Sequence, residues 1–335
     1  MSQASPLAVV TGGAGFIGSH MVDLLLGEGY RVHVVDSLVG GRLQNLEAHR
    51  AESRLCFEER DVRSLQPGDP LFAGARYVFH FAGIGDIVPS IERPIDYMAT
   101  NAMGTVHALE AARASGPEFR KFVYAASSSC FGLADVPTRE DAPIAPEHPY
   151  ALSKYQGEMA AFHWGKVYRM PVNVVRIFNA YGTRFRTSGA YGSVFGVFLA
   201  QKANGKPFTL VGDGTQRRDW IYVTDVARAF LAAAQAEKSQ EAYNIGTGNP
   251  QSVNRLIELL GGGEIIRLPK RPGEPDCTWA DISKITGELG WKPEIALEQG
   301  VGTMLANLSY WKEAPVWDEG KIREATKTWF QYLDK

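Results

Sequence analysis

A glycine-rich stretch, T-G-G-A-G-F-I-G at residues 11–18, constrains the fold of this chain more than any other feature. It follows an apolar run at residues 7–10, typical of a strand buried on both faces of a parallel sheet, and precedes a helical pattern at residues 19–26. Glycines permit a tight turn and let the backbone approach a pyrophosphate, whose charge is stabilised at a helix N-terminus. This context predicts a dinucleotide-binding unit, whereas the glycines alone would fit any tight turn.

The acidic residue that ends the second predicted strand indicates which dinucleotide binds. This strand spans residues 31–36, and its last residue, Asp36, lies eighteen positions beyond Gly18. A carboxylate there can accept hydrogen bonds from both hydroxyls of an adenosine ribose, and it would repel a 2′-phosphate. The pattern therefore favours NAD over NADP, although the nearby Arg42 leaves a phosphate contact open.

Strands and helices continue to alternate through the first half of the chain. Further strands are predicted at residues 54–60, 77–83, 121–126 and 172–178, and helices at residues 101–114 and 150–167. Strands separated by helices, with right-handed crossovers, predict an α/β Rossmann fold with a doubly wound parallel sheet. Ligands of such sheets bind at the carboxyl ends of the strands. The residues predicted at these ends are Gly15, Asp36, Gly83, Ser127 and Asn179.

The pattern becomes less regular after residue 180. We expect an NAD-binding Rossmann domain at residues 1–180 and a smaller α/β C-terminal domain at residues 181–335, mainly for substrate binding, with segments near 220–248 returning to the first domain. Residues 182–192 are rich in Gly, Thr, Arg and Ser, which favours a mobile loop near the cleft. Helices are predicted at residues 194–203 and, partly amphipathic, from Glu319 onward.

A tyrosine and a lysine four residues apart suggest the chemistry. On a helix, Tyr150 and Lys154 share one face, so both side chains can point into one cleft. A free tyrosine has a pKa near ~10, but an adjacent ammonium and a bound, positively charged nicotinamide would both favour the phenolate. Ser127 would hydrogen-bond the same substrate oxygen. The spacing alone also fits an ordinary amphipathic helix, but beside a dinucleotide site it predicts removal of a proton from an alcohol while hydride leaves its carbon.

Composition excludes several other classes of function. The chain is 45% hydrophobic with a formal net charge of −2, which gives no electrostatic argument for a nucleic acid or an anionic membrane as partner. The sequence contains no leader-like start and no apolar stretch of the ~18 residues that a membrane span needs. Its three scattered cysteines suit a reducing cytoplasm, and its seven histidines lack metal-ligand spacing. We therefore expect a cytoplasmic protein without a metal.

The order of the motifs resembles that of the extended short-chain dehydrogenase/reductases that modify nucleotide sugars. The shared motifs are the glycine turn, Ser127, Y-x-x-x-K, R-x-F-N at residues 176–179, R-D-W-I-Y-V at 218–223, N-I-G-T-G at 244–248 and R-P-G-E at 271–274. The resemblance covers nearly the whole chain. It implies NAD as cofactor, a nucleotide sugar as substrate, and a homodimer in which the helices at residues 101–114 and 150–167 form a four-helix bundle with those of a second subunit.

The resemblance also implies which residues bind the two ligands. Its cofactor contacts are Gly12, Gly15, Phe16, Ile17, Asp36, Ser37, Asp61, Val62, Phe81, Ala82, Gly83, Asn101, Tyr150, Lys154 and Phe178, with Asp61 and Val62 bordering the adenine. Its substrate contacts are Gly85, Ser90, Ser127, Asn179, Arg218, Arg271, Glu274 and Thr278. The two arginines would neutralise a diphosphate, for which a planar guanidinium is well suited, and Glu274 would accept the ribose hydroxyls. Surface arginines with solvated head groups are the alternative.

Members of the family differ in the reaction that follows oxidation at C4. The 4,6-dehydratases carry an acid shortly after the catalytic Ser or Thr, whereas this chain has Ser128 and Ser129 at those positions. A serine cannot act as that base, so the sequence favours 4-epimerisation, as in the UDP-hexose 4-epimerases. Another reaction on the same scaffold remains open: C4 oxidation or ketoreduction, 3,5-epimerisation, or dehydration with displaced acids. A non-catalytic dinucleotide-binding regulator is a remote alternative.

Two residues bear on the identity of the sugar. Thr278 aligns with a position that borders the sugar pocket in UDP-hexose 4-epimerases, where a small side chain admits an N-acetyl group. An ordinary strand threonine without a role at the sugar is an equal alternative for Thr278. Asp86 would disfavour a uronic acid unless its carboxylate points to solvent.

Overall fold

The computed structural model describes residues 5–185 and 192–333, so residues 186–191 of the predicted loop at 182–192 lie outside the described residues. The strands are β1 Leu7–Thr11, β2 Arg31–Asp36, β3 Leu55–Glu59, β4 Ala75–His80, β5 Lys121–Ser127, β6 Val172–Ile177, β7 Asn179–Tyr181, β8 Phe208–Val211, β9 Arg217–Arg218, β10 Trp220–Tyr222, β11 Glu241–Ile245, β12 Gln251–Ser252 and β13 Ile265–Leu268. The helices are α1 Phe16–Gly27, α2 Ile87–Glu92, α3 Pro94–Tyr97, α4 Gly104–Arg113, α5 Pro149–Tyr168, α6 Val194–Ala203, α7 Val223–Gln235, α8 Val253–Leu259, α9 Ser283–Leu289, α10 Leu297–Ala306, α11 Glu319–Ala325 and α12 Lys327–Leu333.

One large parallel sheet dominates the molecule. Within residues 5–185 and 192–333 it has seven strands in the order β3-β2-β1-β4-β5-β6-β11. The direction of winding reverses between β1 and β4, so these two strands flank the crevice in which such folds bind ligands. The doubly wound α/β fold predicted from the sequence is confirmed.

The apolar strands explain why the sheet is covered on both faces. All five residues of β1 are buried, as expected for a central parallel strand. Apolar side chains of α1 and α7 cover one face of the sheet, and those of α4 and α5 cover the other. The covering helices therefore leave the carboxyl ends of the strands as the accessible edge.

A second core lies beyond these carboxyl ends. It is formed by α6, α8, α10 and α11 together with short strand pairs, in which β7 pairs with β10, β8 with β13, and β9 with β12. Large aromatic side chains fill this core, including Phe195, Trp220 and Trp311. The chain returns to the large sheet through α7 and β11, while the domain division at residue 180 stays a prediction.

The element bounds agree with the sequence patterns at some places and differ at others. The second strand and the helix at 194–203 have the predicted bounds. The fourth strand ends at His80, because the chain leaves the sheet edge after it, and the helix predicted at 101–114 begins as a π-helical turn at Met98–Met103. The predicted C-terminal helix is interrupted at Thr326, which separates α11 from α12.

Candidate active site

The glycine turn brings bare backbone to the start of α1. Gly12 has φ +71°, and its N–H donates to the carbonyl of Val35 at 2.7 Å. A Cβ on Gly12 would lie 2.7 Å from the amide nitrogen of Ala82, and one on Gly18 would lie 2.1 Å from the carbonyl oxygen of Gly12. Gly15 is the N-cap of the 12-residue α1. The turn therefore has the close-packed, side-chain-free form that a pyrophosphate site requires.

The first residues of α1 connect this turn to both cores. The Phe16 ring meets the Phe185 ring edge-on, with centroids 4.9 Å apart, and Ile17 packs against both the sheet core and the second core. These side chains fix the helix N-terminus between the two halves. Their backbone amides, at the start of the helix, are the groups that can approach an anion.

Asp36 has the position and environment of a ribose-binding carboxylate. Its Oδ2 accepts the N–H of Ala14 at 2.9 Å and its Oδ1 accepts the N–H of Leu38 at 2.8 Å. Burial raises the pKa of this carboxyl, against the hydrogen bonds. Ser37 follows it, half-buried. The guanidinium of Arg42, which the sequence left open as a phosphate ligand, donates to the Tyr310 hydroxyl at 3.2 Å.

The predicted adenine border lies at the end of β3. The Asp61 carboxylate pairs with Arg63 at 2.6 Å, and this arginine lowers the pKa of the carboxyl. Val62 is buried in the core under α4. The Val62 side chain therefore packs in the core, and an adenine contact of Asp61 and Val62 stays a prediction.

The residues after β4 line the crevice through their backbone. The Phe81 N–H donates to the Thr11 carbonyl at 3.0 Å, while its ring packs on Phe230 at 4.5 Å, and Ala82 follows next to the glycine turn. A Cβ on Gly83 would lie 2.9 Å from the Asn101 side-chain oxygen and 3.8 Å from the Lys154 ammonium nitrogen. Only glycine leaves room between these two groups.

Asn101 connects the segment after β4 to α5 through hydrogen bonds. It lies in the π-helical turn, a type of irregularity that is frequent at functional sites. Its side-chain oxygen accepts the N–H of Ile84 at 2.8 Å, and its amide donates to the Ile84 carbonyl at 3.0 Å and to the Ser153 hydroxyl at 2.9 Å. Its side chain therefore holds the protein together, and a cofactor contact of Asn101 stays a prediction.

A buried histidine, His80, belongs to the same hydrogen-bonded network as Asn101. From the sequence, His80 was considered only as a possible metal ligand. The Thr105 hydroxyl donates to the Asn101 carbonyl at 2.6 Å, so it must accept from His80 Nε2 at 3.0 Å. His80 Nδ1 then accepts from the Thr11 hydroxyl at 2.7 Å. Burial, with a smaller effect of Lys154, lowers the pKa of His80 to about 3, so it is neutral. A polar residue in an otherwise apolar buried strand is the sequence signal that could have revealed it.

The structure brings the predicted catalytic trio together at the end of β5 and the start of α5. Ser127 lies near enough to Tyr150 to lower the pKa of its hydroxyl, and the Ser127 oxygen lies 2.8 Å from the Ser129 oxygen. The Tyr150 ring is stacked on His148 at 5.9 Å and meets Tyr97 edge-on at 6.3 Å. The Tyr150 ring is therefore held between His148 and Tyr97, and its hydroxyl lies near Ser127.

The electrostatics of the trio differ from the expectation based on spacing. Burial raises the pKa of Tyr150 against the opposing effect of Ser127, and the charge of Asp86 adds to the rise. Burial also lowers the pKa of Lys154 to about 7, against the attraction of Glu158. The Lys154 ammonium nitrogen lies 4.6 Å from the centre of the Tyr124 ring. In the protein without NAD, burial affects the pKa values of Tyr150 and Lys154 more than nearby charges do. Lys154 therefore does not bring the pKa of Tyr150 into the neutral range.

A strained loop lies close to Tyr150. Asp86 has φ +79°, which is costly for a residue other than glycine. The Tyr97 hydroxyl donates to the carbonyls of Gly85 and Asp86 and holds this conformation. Ser90 is buried, and its hydroxyl donates to the Ile87 carbonyl at 2.6 Å, inside its own helix. Its hydroxyl is thus engaged within the protein, and its sugar contact stays a prediction.

The predicted diphosphate ligands gather around one carboxylate. Glu274 accepts from Arg218 Nη2 at 3.0 Å, and its second oxygen lies 3.2 Å from Arg271 Nε. A cavity of about 450 Å³ adjoins this cluster. Its lining includes Val211, Gln216, Arg218, Lys270, Glu274 and Asp276. The size of the cavity suits part of a small-molecule ligand, and its charged lining residues, which also include Asp213, carry both signs.

Asn179 and Thr278 belong to one hydrogen-bonded group of residues that also includes Asp219. The Thr278 hydroxyl donates to Asn179 Oδ1 at 2.6 Å and accepts the N–H of Asp219 at 3.3 Å. The buried Asp219 carboxylate in turn accepts four hydrogen bonds, from both the amide and the hydroxyl of Thr247 and from two further backbone amides. Phe178 packs beneath them in a small apolar cluster. Thr278 therefore has a structural task, whether or not it also borders a sugar.

Further classes of site can be judged for the part of the chain that the structure describes. There, no group of three or more His, Cys, Asp and Glu side chains is arranged to hold a metal ion. In the same residues, none of the helices combines the length and the apolar character required to cross a bilayer.

The fold and the site match a known family. Residues 8–246 match the NAD dependent epimerase/dehydratase family, and the chain belongs to it. NAD is its cofactor, and the bare glycine turn, Asp36 and the buried Lys154 fit that molecule.

Relatives within this family catalyse different reactions. The chain is 32% identical over 301 residues to a UDP-glucose 4-epimerase of Mycolicibacterium smegmatis, covering 88% of this chain and 95% of the relative. It is 31% identical over 322 residues to a dTDP-glucose 4,6-dehydratase of an Actinoplanes species, covering 90% and 99%. The structure of a UDP-glucuronic acid 4-epimerase from Bacillus cereus with UDP-glucuronic acid and NAD superposes with a TM-score of 0.82 at 31% identity, covering 91% of this chain and 99% of that one. The chain is thus an NAD-dependent enzyme of nucleotide-sugar metabolism.

Proposed function

We propose that this enzyme is a 4-epimerase of a UDP-linked hexose or N-acetylhexosamine. The observation that carries this assignment is that Ser127 lies near Tyr150, with the buried Lys154 one turn further along α5, and that Ser128 and Ser129 follow where a dehydratase would need acids. This constellation can move one proton to and from a hydroxyl. It lacks, at those two positions, the acid that elimination of water requires.

The residues then have distinct tasks. NAD, when bound, would supply a reversible hydride acceptor. With the positively charged nicotinamide favouring the phenolate, Tyr150 would take the proton of the C4 hydroxyl while hydride leaves C4 and the C4–O double bond forms, and Ser127 would donate a hydrogen bond to that oxygen. The flat 4-ketose turns over in the pocket, and Tyr150 returns the proton when C4 is reduced from the other face. Asp36 and Lys154 would hold the two riboses of the cofactor.

The substrate class follows from the charges at the two ends of the site. Arg218 and Arg271 around Glu274 suit a nucleoside diphosphate. A UDP-sugar is the substrate in two relatives with the same overall fold. On the sugar side, the Asp86 charge is near enough to raise the pKa of Tyr150, so a uronic acid carboxylate would meet like charge there. A neutral hexose is therefore favoured over a uronate.

Dehydration is a second candidate because of the same Asp86. The Actinoplanes relative is a 4,6-dehydratase, and Asp86 is a carboxylate close to Tyr150 that could act as a displaced acid. It would have to deprotonate C5 and protonate the departing C6 hydroxyl. An Asp86→Asn variant separates the two reactions, because it should abolish dehydration but leave epimerisation active.

The deciding experiment is proton NMR of the protein, without added cofactor, mixed in turn with UDP-glucose, UDP-N-acetylglucosamine and UDP-glucuronate. The anomeric signal of the 4-epimer should appear with one of the first two sugars, because an epimerase regenerates its NAD in every turnover. Loss of one water from the sugar, detected by mass spectrometry, would instead identify a dehydratase. If no product forms even with added NAD, the assignment to these UDP-sugars fails.

A homodimer in the cytoplasm remains part of the same proposal. Apolar side chains are exposed along the two helices expected at the interface, with Met103 at 54% and Met159 at 44% exposure. A four-helix bundle would cover them. Light scattering should give a dimer mass for the wild-type protein and a smaller mass for Met159→Glu. The three cysteines are free thiols in the structure, which suits a reducing compartment.

A further inference from the structure

The last two helices of the chain pack against the second core and contact the loop that carries residues predicted to bind the nucleotide. We call α11 and α12, residues Glu319–Leu333, the C-terminal strap. Ile322 of α11 is buried in the second core, and the buried Thr326 hydroxyl donates to the Ile322 carbonyl at 2.8 Å. The strap is therefore anchored at its first helix, and its second helix can serve another purpose.

Trp329 of α12 contacts the loop that carries the predicted nucleotide ligands. Its indole N–H donates to the Pro272 carbonyl at 2.8 Å. The Arg271 guanidinium lies over its ring, 5.4 Å from the centroid, and only 6% of Trp329 is exposed. One side chain thus holds both the backbone and the arginine of the R-P-G-E loop. The same Arg271 is paired with Glu274 at 3.2 Å.

The neighbouring residue of the strap contacts the sugar side. The Thr328 hydroxyl donates to the Glu92 carboxylate at 3.1 Å. Glu92 ends α2, the helix that follows Asp86. Adjacent residues of α12 therefore contact one element at the nucleotide end and one at the sugar end of the cleft.

We propose that Trp329 is a positioning residue for the nucleotide sugar. It stacks on Arg271 and bonds Pro272, so it keeps the R-P-G-E loop in the conformation in which Arg271 meets a diphosphate and Glu274 meets a ribose. Fixing the plane of a guanidinium reduces the rotational freedom that is lost on binding. This role rests on the proposed nucleotide-sugar substrate, and it does not involve the hydride or proton steps.

The test measures UDP binding by calorimetry, separately from turnover. Trp329→Ala should weaken UDP binding by about tenfold, the size expected for one partly buried cation–π contact and a hydrogen bond. The KM for the sugar nucleotide should rise equally, while kcat and the NAD content stay within about twofold of the wild-type values. Trp329→Phe keeps an aromatic face without the N–H and should recover part of the affinity.

Phe330 provides the matched control, because it lies next to Trp329 on α12 and is 37% exposed. Phe330→Ala should change neither UDP affinity nor KM. If Trp329→Ala behaves like Phe330→Ala, or if it lowers kcat and NAD content together with UDP affinity, the positioning role is wrong. Should Trp329→Ala not fold, Trp329→Phe decides: a UDP affinity equal to that of the wild type overturns the role.

The outcome can be separated from that of the proposed reaction. If the wild-type protein binds UDP and Trp329→Ala weakens this binding, the role of Trp329 stands even when no sugar is epimerised. If the wild-type protein binds neither UDP nor dTDP, both the substrate class and the role of Trp329 fail.

Discussion

The two halves of the proposed site, one for the cofactor and one for the nucleotide of the substrate, hold their polar groups in different ways. On the cofactor side, Asp36 is fixed by backbone amides of the adjacent turns, and the glycine turn itself needs no side chain. On the nucleotide side, Arg218 and Arg271 are held by Glu274, and Arg271 is also stacked on Trp329 near the end of the chain. The first arrangement is built by local chain geometry, and the second by side chains that are distant in sequence.

This difference has a consequence for mutation. Backbone contacts are lost only when the fold of the turn changes, so cofactor-side variants should either be silent or lose NAD. Side-chain clusters can be weakened one partner at a time, so nucleotide-side variants should give graded losses of substrate affinity. Tyr150, the proposed base, lies between the two halves, and its replacement by phenylalanine should change neither the NAD affinity nor the substrate affinity.

The largest effect is expected at this boundary. Tyr150→Phe removes the hydroxyl that lies near Ser127, and turnover should fall by about 10² to 10⁴ because proton transfer is lost. NAD content and UDP affinity should stay at the wild-type level. Tyr155→Phe, on the same helix, is the control and should keep full turnover. A Tyr150→Phe enzyme with more than a tenth of normal turnover would exclude Tyr150 as the base.

A substitution in the glycine turn should weaken NAD binding selectively. Gly12→Ala places a Cβ 2.7 Å from the Ala82 amide nitrogen at φ +71°, so the turn must shift and the purified protein should lose its NAD, as measured by absorbance after extraction. Gly29 has φ +83°, and none of the described atoms would lie within 4 Å of a Cβ at this position. Gly29→Ala should share the strain of about 1–3 kcal/mol but retain NAD. Equal NAD retention in both variants would show that the close approach at Gly12 is unimportant.

The sequence was most informative where structure is local. The strand at 31–36 and the helix at 194–203 were predicted with their observed bounds, because apolar runs and glycine turns mark them directly. The alternation of strands and helices predicted a doubly wound parallel sheet, but it did not predict the order of the seven strands. The two-residue strands β9 and β12 are too short to have a period, so no pattern could predict them.

Contacts between distant segments could not be predicted. The Trp329–Pro272 hydrogen bond joins positions 57 residues apart, and the bond between Thr278 and Asn179 joins positions 99 residues apart. Nor could the helical spacing of Tyr150 and Lys154 reveal that burial, rather than their mutual charge, controls both pKa values. Their protonation depends on the amount of protein around them, which only the packed fold determines.

The buried lysine makes a prediction about stability. The pKa of Lys154 is about 7 in the folded protein and 10.5 as its ordinary value. Between these pH values the unfolded chain holds a proton that the native protein lacks, so the free energy of unfolding should rise with pH by up to about 1.4 kcal/mol per unit. Below pH 7 both states are protonated, and the full cost of burying the charge remains.

Lys154→Met lacks this contribution. In urea denaturation of the NAD-free protein at pH 7, 8 and 9, its stability advantage over the wild type should be largest at pH 7 and should shrink as pH rises. Lys166→Met changes an exposed lysine of the same helix and should leave the pH dependence of the wild type unaltered. Parallel pH profiles for Lys154→Met and the wild type would mean that the native lysine stays charged throughout this range.

The smallest effect is expected for substitution of Thr278. Thr278→Val removes the hydroxyl that bonds Asn179 at 2.6 Å, which should cost about 0.5–1.5 kcal/mol and raise KM by a few-fold for every sugar tested. Thr278→Tyr loses the threonine hydroxyl and adds bulk. If the residue borders the sugar, kcat/KM for the N-acetylated sugar should fall further than for the plain hexose. Equal losses of kcat/KM for both sugars would show that Thr278 only holds Asn179. Thr278 would then contribute to substrate affinity through this side-chain cluster and would not select between sugars.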